Sequence, residues 1–414
     1  MIDMALVSSK YAFRSVGRNF RRTALSILGI GVGCTLALVT ESINRGRDEL
    51  FARMGALSGA GHLRVVPQGW RLRRDPRLRL ADATMDLEAA RTLPGVEAVT
   101  VRARAQVLLA MGTHVVPLEM VGVDAGNEPR TNRFVRNLER GRYLTADERG
   151  AAVVGRAVAE RLRADLDDEI LATSVGKDGD IEAALFRIVG MVSTGSEEID
   201  AGICHVSLED LEALTGLASA AEVAIILKDW RETDAARALL APRVAPGDEV
   251  MTWGEIAPDF KGHMEQDKAA SRFIGFLIIV IVVLGVASAQ LAAVLERRRE
   301  FAVLSALGMQ ASHMVRLVLQ EGLTLGLLGA ALGFALGAPL VWHIATAGLD
   351  FREYMGTSYA FQGVILEPII YTDFGFWMIP YVLFIALGAT LAASLYPAWF
   401  AARTDPAVAL RVAQ

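Results

Sequence analysis

Residues 273–314 read FIGFLIIVIVVLGVASAQLAAVLERRREFAVLSALGMQASHM, and this stretch decides the fold. Its first part, 273–295, contains no ionisable side chain, and about 20 apolar residues are enough for a helix to cross the hydrocarbon core of a bilayer. Arg297, Arg298 and Arg299 follow at once, and arginines beside a span favour the cytoplasmic side. The stretch therefore predicts a membrane span that leaves into the cytoplasm.

After the arginines, apolar residues recur at helical spacing. Phe301, Leu304 and Leu307 would share one face of a helix, and Gly308 can end it. We therefore expect a short amphipathic helix at the membrane surface within 296–314.

Three further apolar runs are long enough to cross a bilayer. They cover residues 23–43, 317–341 and 374–398. Basic residues gather before the first run and after the second span, whereas the segment 348–373 is net negative. This asymmetry predicts that both termini are cytoplasmic, with residues 1–22 as a basic amphipathic helix in the interface and 399–414 as a tail.

A cleaved leader ending near Cys34 is the alternative to the first span, because basic residues precede an apolar core there. The apolar run continues beyond Cys34, and Gly31 stands where a lipoprotein cleavage site would have a larger aliphatic residue. We therefore expect this span to be retained.

The region 44–272 has the composition of a folded, water-exposed domain. Its predicted strands are 62–67, 96–111, 114–123, 186–192 and 221–229. Its predicted helices are 86–93, 156–164, 207–216 and 233–241. The sequence thus predicts a membrane protein with four transmembrane α-helices and a large α+β domain of two subdomains inserted between helices 1 and 2. Helical patterns at both borders of the domain indicate that the first two spans continue as a stalk.

Composition excludes several classes of function. With 53% hydrophobic and 21% charged residues, the chain is neither an ordinary soluble protein nor a wholly embedded one. Its two cysteines and six histidines show no disulfide framework and no metal-ligand spacing, and its net charge of −5 gives no nucleic-acid footprint. The sequence contains no G-x-x-x-x-G-K-[ST] motif, so the chain cannot hold ATP in the P-loop manner. We expect no catalytic residue, no metal and no cofactor on this chain.

Glycines recur at intervals of four within the spans, a spacing that lets two helices approach closely. We expect helix packing, within the chain or against a neighbouring chain, at these positions: Gly29, Gly33, Gly322, Gly326, Gly329, Gly333 and Gly337.

An arginine-rich run, RLRRDPRLRL, occupies residues 71–80 of the domain. Its basic residues are Arg71, Arg73, Arg74, Arg77 and Arg79. The run is either a solvated loop or an arm that contacts anionic lipid headgroups or an acidic partner.

Three stretches together resemble one superfamily. YAFRSVGRNFRRTALSILGIGVG (11–33), ERRREFAVLSALGMQASHM (296–314) and YPAWFAARTDPAVALR (396–411) are similar to the permeases of the type VII ATP-driven transporters. This group, MacB-like and FtsX-like, includes the macrolide exporter, the cell-division permease and the lipoprotein-releasing permeases. IVGMVSTG (188–195) with Asp200, followed by HVSLEDLEALTG (205–216), looks most like the LolC/LolE-type lipoprotein-releasing branch.

The resemblance implies an inner-membrane assembly of two permeases, identical or homologous, with a cytoplasmic ABC ATPase dimer that binds ATP and Mg. Segment 296–314 would then be the coupling helix that seats in an ATPase groove. The residues expected at that contact are Glu296, Arg297, Arg298, Arg299, Glu300, Leu304, Leu307 and Gly308. The alternative is that these arginines only anchor the span at phospholipid headgroups. The domain between spans one and two would be periplasmic and MacB-like.

The leading hypothesis is mechanical transmission. ATP-driven closure would push the coupling helices, tilt the spans and rearrange the outer domain, so that a lipoprotein leaves the outer leaflet of the inner membrane for a periplasmic carrier chaperone. Span centres without charged residues offer no hydrophilic route for a solute. Two alternatives remain, namely export of antibiotics or peptides from the periplasm and FtsX-like signalling to a cell-wall hydrolase.

Overall fold

The computed structural model describes residues 20–73, 75, 77–218, 220–355, 359–361 and 364–403. The chain divides into two compact units. The first comprises residues up to 47, 266–349 and from 370 onward, and the second comprises 48–265 and 350–369. Most of the amphipathic helix predicted over 1–22, most of the predicted tail over 399–414, and Arg74 lie outside the described residues.

The described residues form these elements. The helices are α1 Phe20–Leu57, α2 Trp70–Arg73, α3 Ala83–Arg91, α4 Glu128–Thr131, α5 Arg156–Leu162, α6 Glu197–Asp200, α7 Leu208–Thr215, α8 Thr233–Leu240, α9 Trp253–Ile256, α10 Pro258–Glu296, α11 Arg298–Ala306, α12 Ala311–Ala347, α13 Arg352–Met355 and α14 Met378–Ala402. The strands are β1 Leu63–Pro67, β2 Val96–Met111, β3 His114–Val123, β4 Leu138–Gly141, β5 Ala151–Gly155, β6 Glu169–Val175, β7 Ile181–Val192, β8 Cys204–Ser207, β9 Glu222–Leu227, β10 Asp248–Thr252, β11 Leu349–Asp350, β12 Tyr359–Phe361, β13 Val364–Leu366 and β14 Ile369–Ile370. Short 3-10 turns occupy Arg133–Asn137, Trp230–Glu232 and Ala241–Arg243.

Four helices, α1, α10, α12 and α14, are long and apolar enough to cross a membrane, which confirms the predicted four-helix membrane architecture. In the first unit their buried side chains form one apolar core, with Ile30 and Leu38 from α1, Val341 from α12 and Val382 from α14. Because lipid tails are as apolar as this core, close packing rather than the hydrophobic effect must hold the helices together.

Six strands of the second unit close into a barrel. Around the ring, β2 pairs with β3, β3 with β8, β8 with β5, β5 with β7, β7 with β6, and β6 again with β2. Its interior is filled by alternate residues of the strands, including Leu109, Met120, Ile170 and Phe186, and by residues of α5 and α7. Because β6 pairs with both β7 and β2, the ring of six strands has no unpaired edge strand.

Beside the barrel, four strands form an open sheet in the order β10, β1, β9, β2. Helices α3 and α8 cover it and bury residues such as Leu63, Val223 and Leu240. The 16-residue strand β2 belongs to both structures. Along one edge, residues 96–102 pair with β9 and residues 107–110 pair with β6.

All predicted strands and helices of the domain are present within a few residues of their predicted bounds. The strands that the sequence pattern did not predict are β4, β5, β6, β8 and β10. The segment expected to be a loop, 348–373, contains α13 and four short strands.

Two carboxyl groups face each other between α3 and β10. Asp86 Oδ1 accepts a hydrogen bond from the Ala245 amide at 2.8 Å, and Asp248 Oδ2 accepts one from the Ala81 amide at 2.9 Å. Their other oxygens, Asp86 Oδ2 and Asp248 Oδ1, are buried and have no partner among the described residues. Burial raises the pKa of Asp86 to about 6, and the neighbouring Asp248 adds to the rise, so that below this pH Asp86 holds a proton that the two carboxyl groups can share.

Because the folded pKa of Asp86 lies above its unfolded value, the stability that this proton provides is complete below about pH 4 and lost as pH rises through 6. Asp248→Asn supplies an amide N–H in place of the proton. We expect it to raise the free energy of unfolding by about 1–3 kcal/mol at pH 8 and to leave it unchanged at pH 4. Urea unfolding of the full-length protein in detergent, followed by tryptophan fluorescence, measures both. Asp180→Asn at an exposed turn is the control, and an equal gain at the two pH values would contradict a shared proton.

Candidate functional site

The predicted short helix follows the second span directly. Helix α10 ends at Glu296 and α11 begins two residues later. Gly308 adopts a φ of +91°, in the left-handed region that glycine favours, and α12 begins at Ala311. The helix therefore stops at the position that the glycine predicted.

Arg297 lies at the junction of three helices. Its Nε donates to Glu300 of α11 at 3.1 Å and its Nη1 donates to Glu321 of α12 at 3.2 Å. The guanidinium carbon also lies 5.6 Å from the ring centre of Phe301. Arg297 thus ties the start of α11 to the side of the third span, a role beyond anchoring at headgroups.

The apolar side chains of α11 divide between two faces. Phe301 is 2% exposed and packs with Met314, Val318 and Ala398. In contrast, Leu307 is 80% exposed and Val303 is 46% exposed. Phe301, Leu304 and Leu307 were expected on one face of the helix, but they differ in exposure, because Phe301 points into the helix bundle and Leu307 does not.

The outer face of α11 is a different set of residues. Val303 and Leu307 are four residues apart and therefore neighbours on a helix. Arg299, which is exposed, precedes Val303 by one more turn. A partner that meets α11 would therefore meet these three side chains, whereas Leu304 is half-buried.

Most of the glycines in the spans make close contacts within the chain. A Cβ added at Gly329, Gly333 or Gly337 would collide with α1, at Ile30, Cys34 and Leu38 respectively. A Cβ at Gly322 or Gly326 would collide with Ser394 or Thr390 of α14. Helix α12 therefore uses one row of glycines for α1 and another for α14.

Only part of the glycine face expected on α1 is present. Gly33 packs against Val282, and Gly31 packs against Leu332. Gly29 is exposed, and a Cβ there would have no atom of the described chain within 4 Å. Gly31 and Gly33 therefore lie on different sides of α1, against α12 and α10 respectively, and Gly29 takes part in neither contact.

The arginine-rich run separates into exposed and bound members. Arg71 and Arg73 of α2 and Arg77 are exposed. Arg79 donates to the carbonyl oxygens of Ala218 at 2.7 Å and Leu78 at 2.9 Å. Arg79 is thus part of the domain's structure, and only the other described arginines of the run can reach a partner.

A cluster of buried charges lies where β9 and β6 diverge along β2, and the sequence did not predict it. Glu222 of β9 accepts from Arg64 at 2.9 Å and from Arg104 at 3.2 Å, and it lies 3.6 Å from Arg102. Arg102 also pairs with Glu128 of α4 at 2.8 Å. We call these residues, Arg64, Arg102, Arg104, Glu128 and Glu222, the fork network.

The charges of the fork network stabilise one another. Burial opposes ionisation of Glu222, yet Arg104, Arg64 and Arg102 hold its pKa at about 2. Burial lowers the pKa of Arg64 to about 10, which still leaves it charged at neutral pH. Beside the network lies a cavity of ≈ 550 Å³, into which His205 and Trp70 also project.

A tyrosine–histidine pair lies near Glu128 of the fork network. Tyr143 and His205 Nδ1 are hydrogen bonded at 2.9 Å, and burial lowers the pKa of His205 to about 4, so the ring is neutral. Among the described residues, no group of three or more His, Cys, Asp or Glu side chains could hold a metal ion. The sequence signal that points to the fork network is Arg102 and Arg104 at alternate positions of the mostly apolar strand β2.

Replacing Glu222 should destabilise the second unit strongly, because the buried Arg64 and Arg102 and the half-buried Arg104 would lose their shared partner. We expect Glu222→Gln to cost about 3–5 kcal/mol of unfolding free energy at pH 7. The folded pKa of Glu222 lies below its unfolded value, so its contribution is present above about pH 4.5 and falls as pH drops towards 2.

Urea unfolding at pH 7 and pH 3 measures both effects, and the gap between variant and parent should narrow at pH 3. The matched control is Glu169→Gln, which removes an exposed ion pair with Arg187 and should cost at most about 1 kcal/mol. A cost for Glu222→Gln as small as the control's would show that the network is dispensable.

Comparison with known proteins matches two family models. The MacB-like periplasmic core domain matches residues 23–243, and the FtsX-like permease C-terminal model matches residues 272–406. The lipoprotein-releasing system transmembrane protein LolC of Xylella fastidiosa is 25% identical over 93% of this chain and 92% of its own length. The macrolide export ATP-binding/permease protein MacB of Hyphomonas neptunium is 26% identical over 97% of this chain and 60% of its own length. Among solved structures, the periplasmic region of MacB from Actinobacillus actinomycetemcomitans covers 49% of this chain at 13% identity, with a TM-score of 0.35.

Proposed function

The chain belongs to the family of the MacB-like periplasmic core domain, and on that premise we propose that it is the permease subunit of an ATP-driven transporter that releases lipoproteins from the bacterial inner membrane. The observation that carries this proposal is the likeness to the lipoprotein-releasing LolC protein, which extends over nearly the full length of both chains. A shared domain alone would leave the cargo open, because the macrolide exporter has the same domain.

The ATPase is a separate subunit in this proposal. The chain has no P-loop motif, so ATP and Mg bind to a cytoplasmic ATPase dimer. That dimer receives the outer face of α11, where apolar side chains and an arginine stand together, as in a helix that seats in a groove. Both termini and α11 then lie on the cytoplasmic side, and the second unit lies in the periplasm.

Transport in this proposal is mechanical. No Asp, Glu, Lys or Arg occurs between residues 273 and 295 or between 322 and 349, and a polar pathway for a solute needs such groups. Movement of α11 would instead pass through Arg297 to α12 and rearrange the periplasmic domains of two permeases, so that a lipoprotein passes to a carrier chaperone. Arg71, Arg73 and Arg77 are the exposed candidates for contact with anionic lipid or an acidic partner.

Depletion of the protein tests the cargo. We expect lipoproteins destined for the outer membrane to accumulate in the inner membrane, and separation of the two membranes followed by immunoblotting measures the ratio. Re-expression of the intact chain should restore it. Normal sorting of lipoproteins in depleted cells would rule out release and leave export or signalling.

Substitution on α11 tests the ATPase contact. Val303→Ser combined with Leu307→Ser removes exposed apolar side chains without touching the bundle core, so the permease should fold. We expect the amount of copurified ATPase to fall at least roughly tenfold, as when central side chains of an interface are truncated.

The matched control is Leu108→Ser combined with Val115→Ser, a similarly exposed Leu and Val pair on the barrel. Thermal unfolding should be unchanged in both variants. Full retention of the ATPase by the α11 variant would place the contact elsewhere.

A further inference from the structure

Gln290 is a polar residue inside the apolar run of the second span. It is 6% exposed, and neither its amide nitrogen nor its amide oxygen has a hydrogen-bond partner among the described residues. A buried amide without partners is destabilising, and more so where lipid surrounds the helix. The amide therefore needs a polar ligand.

A cavity of ≈ 40 Å³ lies beside this amide. Besides Gln290, its polar lining consists of Thr23 and Ser26 from α1, Arg297, and Glu321 from α12. Since each water needs about 10–15 Å³ of such volume, the space holds about three or four water molecules. A buried water also needs two to four polar partners, and this lining offers hydroxyl, amide, guanidinium and carboxylate groups.

We propose that this cavity is a binding site for a small cluster of ordered water that bridges the Gln290 amide to the Arg297–Glu321 ion pair. The amide donates to one water through Nε2 and accepts from another through Oε1. Gly322 of α12 leaves room for the Gln290 amide, because a Cβ there would lie 3.0 Å from Nε2. No larger ligand fits, so the chemical class is water.

The site gives the junction at Arg297 a second set of partners. An ion pair in a dry helix bundle can separate only by exposing two charges to apolar surroundings. Water at the same place can replace one partner while the other moves. This consequence for coupling rests on the proposed function, whereas the water site itself does not.

Radiolytic hydroxyl-radical footprinting of the full-length protein in lipid nanodiscs tests the site, because radicals formed from bound water oxidise adjacent side chains. Val294 lines the cavity and Val286 does not, yet both are valines of α10 and both are 4% exposed. We expect Val294 to be oxidised at least roughly threefold faster than Val286, with Phe301 as a second reporter in the cavity wall.

Gln290→Leu should bring the rate at Val294 down to that of Val286, because the water loses its amide partners, and Gln290→Asn should retain part of the excess. Equal rates at the two valines in the parent protein would show a dry cavity and overturn the proposal. An excess at Val294 that persists in Gln290→Leu would show that the amide does not hold the water and would overturn it equally. Lipoprotein sorting is measured in a separate experiment. A result that overturns the proposed function would therefore not be mistaken for one that overturns the water site.

Discussion

One edge of β2 pairs first with β9 and then with β6. The fold of the second unit depends on what fills the gap between these two strands. The open sheet pairs with residues 96–102 and the barrel closes on residues 107–110. The positions between them, 103–106, have no strand partner on that edge, and Ala103 and Ala105 among them are buried. The fork network fills this gap. Glu222 lies at the end of β9 and binds arginines from β1 and β2, so its contacts can form only when the strands diverge in this way.

The fork network contributes more to the specificity of the fold than to its stability. A buried ion pair often contributes no more than well-packed apolar side chains of the same volume, because desolvation offsets the attraction. Apolar side chains, however, would tolerate several angles between barrel and open sheet. Arg102 reaches Glu128 at 2.8 Å and the Gly59 carbonyl at 2.6 Å, and Arg64 binds the Ala60 carbonyl at 3.1 Å. Each of these bonds is directional, and together they permit one arrangement of the two cores.

The sequence was most informative where one periodicity dominates. The spans follow from uninterrupted apolar runs, and β2 and β3 follow from long alternating patterns. The strands that escaped prediction have weaker signals: β8 has four residues, β5 is buried along its whole length and therefore does not alternate, and β4 consists of Leu, Glu, Arg and Gly. Arg102 and Arg104 hint at the fork network, but their partners could not be predicted from periodicity, because the pairing of Glu222 with Arg64 joins residues 158 positions apart. The sequence also did not predict that Phe301 points into the bundle. Helical spacing groups residues into faces but does not say which face meets the bundle.

Within the first unit, the close contacts between helices determine which helices must move when α11 is displaced. Helix α11 is tied to α12 by Arg297 and by the packing of Phe301 on Val318. Helix α12 is in turn held against α1 by glycines, with the Thr35 hydroxyl donating to the Gly333 carbonyl at 3.2 Å. A glycine contact lets the backbones approach so closely that neither helix can rotate without collision.

Sliding of α12 past α1 would require the Ile30 and Cys34 side chains to leave their positions against Gly329 and Gly333. Close-packed interiors resist such repacking, so α12 and α1 should move as one body. The Arg297 junction, whose partners are polar and exchangeable, is then the place where the angle of α11 can change.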